Sequence, residues 1–102
     1  MQIKTIDNKG IYLTHDDGLT FSIQFGPGNY CENYDNDYDM GRPNTSSKDC
    51  EVAVWTSAGK EGWVTKDYFK DAEDGDCSVV GRVPIEEALR IAINRTKVGD
   101  QK

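Results

Sequence analysis

The sequence has no apolar run approaching the length of about 18 residues that a membrane-spanning helix needs, and this excludes a spanning helix on hydropathy alone. Positive charge is also short. Lys and Arg total 12 against 18 Asp and Glu, for a formal net charge of −6. Gripping a nucleic-acid backbone takes clustered Lys and Arg, so direct nucleic-acid binding is disfavoured. His15 is the sole histidine and no serine-nucleophile motif accompanies it, which points to a binding protein and not an enzyme. The opening Met1-Gln2-Ile3-Lys4-Thr5-Ile6-Asp7 lacks the basic flank and apolar run of a secretory signal, so a cytoplasmic protein is expected. Cysteine is sparse and odd in number: Cys31, Cys50 and Cys77. Without an export signal they read as reduced, mostly partly buried thiols.

What is present suits one α+β domain of 102 residues. Ile11 and Leu13 alternate with Tyr12 and Thr14; Leu19, Phe21, Ile23 and Phe25 alternate with Thr20, Ser22 and Gln24. Period-two alternation marks strands with one buried and one wet face, and Asp17-Gly18 between them is a tight-turn signal. Ile3 and Ile6 predict a first strand, closed by Asn8-Lys9-Gly10. Residues 51–56 and 63–65 predict a further hairpin. A helical turn is expected around 66–69, and a last strand over 78–83. Pro84 suits a helix first turn, and Ile85, Ala88, Leu89, Ala92 and Thr96 follow helical spacing. Leu89 sits at the centre of that stripe, and Gly99 is the expected stop. The predicted fold is a curled antiparallel sheet of about five to six short strands packed against one C-terminal amphipathic helix.

The segment 26–49 breaks this pattern. It is polar, and a connection of such length without structure is usually functional. Glu32, Asp35, Asp37 and Asp39 crowd into it, with Tyr30, Tyr34 and Tyr38 spaced every four residues among them. Asp71, Glu73, Asp74 and Asp76 form a second acidic stretch. Asp35, Asp37 and Asp39 mimic the start of a calcium-binding loop, but Met40 stands where its glycine belongs and Ser46 where its bidentate Glu belongs. No resident metal or cofactor is therefore expected; a small metal- or ligand-binding domain using the Asp-rich loop is the alternative. Cys31, Cys50, Cys77 and His15 lack the close spacing of zinc modules. Tyrosines among carboxylates suit a protein interface, because tyrosine is a rigid amphipathic anchor. Trp55 and Trp63 are expected in the core, and His15 on the surface.

Phe25-Gly26-Pro27-Gly28-Asn29-Tyr30-Cys31, Glu51-Val52-Ala53-Val54-Trp55 and the run from Val80 to Ala88 resemble segments of small proteins encoded by tailed bacteriophages. The resemblance covers roughly residues 18–93. It implies a protein acting in the host cytoplasm by blocking host machinery, such as a CRISPR–Cas complex, a restriction enzyme or a nucleotide-signalling defence. The expected contacts on a basic host partner are Tyr30, Glu32, Tyr34, Asp35, Asp37, Tyr38 and Asp39, with Asp71, Glu73, Asp74 and Asp76 auxiliary.

Overall fold

In the computed structural model, which describes residues 1–36, 45–57, 62–73 and 78–101, five strands lie in chain order across an antiparallel sheet. They are β1 (Gln2–Ile6), β2 (Gly10–Thr14), β3 (Thr20–Gln24), β4 (Asp49–Trp55) and β5 (Val80–Pro84). A short helix α1 (Thr65–Tyr68) precedes β5, and α2 (Ile85–Asn94) follows it. The expected α+β architecture is the one observed. Asp7 and Asn8 turn the first hairpin with left-handed φ of 27° and 59°, the hand that matches strand twist. Gly10 then lets β3 close in, because a Cβ there would lie 2.1 Å from the Ile23 carbonyl oxygen. The second hairpin closes with Gly18 N donating to His15 O and Asp17 Oδ1 accepting Leu19 N.

Strand register puts Ile3, Leu13, Phe21 and Val54 in one cross-strand row, and Thr5, Ile11, Ile23 and Val52 in the next. Opposed residues share a face, so these rows form the inner surface. α2 packs over its β4–β5 half, and burial falls away toward the opposite edge. Phe21 and Val54 are fully buried while Ile3, in the same row, is 63% exposed.

The helix sits rotated from its expected orientation. Ala88, Ile91 and Ala92 are buried, whereas Ile85 and Leu89 pack only partly against the core and Thr96 lies past the helix end. Ile91 joins the buried cluster that also holds Tyr68, Phe69 and Ala72, apolar surface that the helical spacing by itself does not report. The stop also differs. Arg95, not Gly99, takes the left-handed conformation (φ 54°) that ends the helix. An ion pair of 2.7 Å from its Nη2 to Asp17 Oδ2 ties it to the second hairpin, and that bond holds the Asp17 carboxyl below the usual carboxylate range.

Trp55 and Trp63 stay out of the core. They stack at 5.2 Å, with Tyr12 edge-on to Trp55 at 5.4 Å. Trp55 lies two residues from Ala53 and one from the fully buried Val54, so alternation aims it at the outer face of the sheet. There the rings accompany buried Ser22 and Ala53, which share a row with Tyr12. His15 is half-buried, contrary to expectation: its Nε2–H donates to Ala92 O at 2.8 Å, clasping the hairpin turn to α2. Thr65 ties β4 to the start of β5. Its buried Oγ1 accepts Val54 N at 3.0 Å and donates to Ser78 O at 2.8 Å.

Candidate functional site at the β5 edge

Residues 26–36 have no helix or strand, yet they form a hydrogen-bonded knot. Asn29 Oδ1 accepts Gly26 N at 3.0 Å, and its Nδ2 donates to Gln24 Oε1 at 3.1 Å. Asn33 is buried and its amide is fully used. Nδ2 donates to Phe25 O at 2.7 Å and to Ser46 O at 2.9 Å, and Oδ1 accepts Asn36 Nδ2 at 2.8 Å. Tyr34 N donates to Cys31 O and Gly28 N to Tyr34 O. Small polar side chains here replace the ladder that a strand would supply. The sequence leaves the order of this connection open; side-chain amides organise residues 26–36 of it.

The knot is braced against the sheet by carboxylates. Glu51 Oε2 accepts Tyr30 N at 3.0 Å, Asp49 Oδ1 accepts Glu32 N at 2.8 Å, and Glu32 Oε1 accepts Lys48 N at 3.1 Å. On the far side, Arg82 N donates to Tyr30 O at 2.8 Å. The knot thus lies against the Asp49 and Glu51 side of β4 and reaches β5 through this one backbone bond, and it needs Gly81 to do so. A Cβ at Gly81 would lie 2.5 Å from Tyr30 Cβ.

Two of the expected tyrosines therefore project from a fixed base. Tyr30 and Tyr34 stack nearly parallel, 9° apart with centroids at 5.3 Å, and both are exposed. Glu32 and Asp35 are exposed beside them in sequence, but Glu32 is a brace as well as a surface charge. Asp71, from the second acidic stretch, lines a cleft of about 160 Å³ with Phe69, Gly81 and Arg82. Tyr30 packs on that same Gly81, so the structure brings a tyrosine of the first stretch and an acid of the second to one strand. Glu73 is exposed. Asp37, Tyr38, Asp39, Asp74 and Asp76 lie outside the described residues. Sequence reasoning missed Asp49 and Glu51 as anchors and Arg82 as a neighbouring cation. Their only local signal was charge within a strand.

Cys31 and Cys50 are free thiols, buried beneath this site. Burial, then the charge of Asp49, pushes the Cys50 thiol up to about 12, and its Sγ lies 3.4 Å from Val83 O. Such a thiol is unreactive. Register separates Cys50 from His15, since Glu51 pairs with Gln24 at one end of the sheet and Trp55 with Thr20 at the other. Cys77 lies outside the described residues. Among the described residues, no group of three or more His, Cys, Asp or Glu converges for a metal, and no helix is long and apolar enough to cross a membrane. Comparison with protein-family models, curated proteins and solved structures found no match.

Proposed function

We propose that this chain is a binding protein that docks on a basic surface of a partner protein through the β5 edge, with Tyr30 and Tyr34 as its anchor. The stacked, exposed tyrosine pair on a braced segment carries the proposal. Two rings already held against each other lose little freedom on binding, and tyrosine suits such an anchor. The carboxylates of Glu32, Asp35, Glu51 and Asp71 complement Arg and Lys on the partner and accelerate encounter. Blocking a host nucleic-acid or defence enzyme, a CRISPR–Cas component among them, is the role that the likeness to phage proteins implies. Occupying the enzyme's basic surface is the mechanism.

The test is binding kinetics at two salt concentrations with a basic partner recovered by pull-down from host lysate. Tyr34→Ala keeps the backbone bonds of the knot, so it should act mainly by faster dissociation. Glu32→Gln with Asp35→Asn keeps the acceptor for Lys48 N and removes charge. It should slow association and flatten its salt dependence. Unchanged kinetics in both variants would place the binding surface elsewhere on the molecule.

A further inference from the structure

Among the described residues, the opposite edge of the sheet is bare. Lys9 N donates to Ile6 O, while Phe25 N donates to Lys9 O and His15 N to Leu19 O. These bonds set the parity of the ladder. Odd-numbered residues of β2 face β3, so Gln2, Lys4 and Ile6 of β1 face β2. The N–H and C=O groups of Ile3 and Thr5 are then directed away from the sheet. No strand precedes β1 in the sheet order, and the residues from Gln2 to Thr5 are all exposed. Free edges of this kind are templates for another strand.

We propose that this edge pairs antiparallel with β1 of a second copy, about a two-fold axis at Ile3. The register follows from the side chains. Centring on Ile3 pairs Ile3 with Ile3, Gln2 with Lys4 and Met1 with Thr5. The two Ile3 residues then exchange their outward hydrogen bonds. The row Val54–Phe21–Leu13–Ile3 continues unbroken into its symmetry mate, covering two isoleucines that are 63% exposed in the single chain. Centring on Lys4 would set like charges directly opposite, which is destabilising.

Charge favours a second copy at this edge over any other. The chain carries −6, yet residues 2–14 hold Lys4 and Lys9 against Asp7 alone. Three strand spacings of about 4.8 Å put the bracing carboxylates of β4, Asp49 and Glu51, roughly 14 Å from the β1 edge. Two copies joined at β1 therefore hold those acids well beyond a Debye length of about 10 Å from each other. A strand pair through the axis is isologous and closes as a dimer. It also leaves the Tyr30–Tyr34 surfaces free at the two outer ends.

Sedimentation across a wide concentration range tests the proposal. The wild-type chain should pass from monomer to dimer as concentration rises. Ile3→Lys places two ammonium groups on the axis, and Thr5→Pro removes an outward donor without breaking a bond to β2. Each should raise the dimer dissociation constant severalfold, with the melting curve of dilute protein unchanged. In a Cys77→Ser background, Ile3→Cys should cross-link two chains under mild oxidation and Lys4→Cys should not. Cα atoms of a hydrogen-bonded pair stand about 5.5 Å apart, within disulfide reach. A monomer at every concentration, a dimer indifferent to both edge variants, or cross-linking at Lys4→Cys alone would overturn it. So would a monomer that binds an added strand-forming peptide but not itself.

Discussion

The two edges of the sheet solve the same problem differently. At the β5 end the strand is met by the 26–36 knot, whose Tyr30 carbonyl accepts Arg82 N, whose backbone is held by Glu51 and Asp49, and whose Asn33 amide ties it to the carbonyls of Phe25 and Ser46. At β1 nothing among the described residues lies outside the strand. The inner face tells the same story. α2 covers β4 and β5, so burial in the row Val54–Phe21–Leu13–Ile3 falls from complete to slight. One end of the molecule is built from tertiary contacts, and the other is a hairpin supported on one side only. Substitutions in the built end should be costly, and those in the bare end nearly silent.

Ile91→Ala should show the largest effect, about 2–5 kcal/mol of lost stability by chemical denaturation, as for other buried aliphatic truncations. In dilute, monomeric protein Ile3→Ala should fall within about 0.5 kcal/mol of wild type. Equal losses there would mean that the β1 end is covered within the single chain. Truncating the half-buried Leu89 should fall between the two, although the sequence places it at the centre of the helical stripe.

Asn33→Ala tests whether the knot is integral to the fold. It leaves the carbonyls of Phe25 and Ser46 without their donor and should cost about 1–3 kcal/mol. A negligible loss would show that the β5 edge is held by the carboxylate braces alone.

A further effect is pH-dependent. Folding raises the Cys50 thiol from 9.0 to about 12, so the unfolded chain releases this proton first as pH rises. Stability from this group is complete below about pH 9 and is lost between about pH 9 and 12, at about 1.4 kcal/mol per unit. Denaturant melts of wild type and Cys50→Ala should therefore converge over that interval. Parallel curves would mean that the thiol is accessible in the folded state.

Much of this architecture is legible in the residues themselves. Alternation in 11–14 and 19–25, the Asp17-Gly18 turn and the helical spacing after Pro84 each report local physics, and the observed strands and helix follow them. The tyrosine spacing singled out Tyr30 and Tyr34, which are exposed and stacked in the structure, and their neighbouring acids marked a charged segment. Those signals are periodic or set by residues a few positions apart, so they survive in one dimension.

Tertiary structure alone decided the rest. Ile91 was hidden because the buried cluster it joins includes Tyr68, Phe69 and Ala72, which are remote in sequence. Arg95 ends the helix in place of a glycine, and its guanidinium pairs with Asp17, 78 positions away. The 26–36 segment reads as unstructured because its order comes from Asn29 and Asn33 amides aimed at carbonyls and from Glu51 and Asp49 across the sheet edge. Period counts apolar surface. It does not register which carbonyl a buried amide will find, since that partner exists only once the strands have assembled.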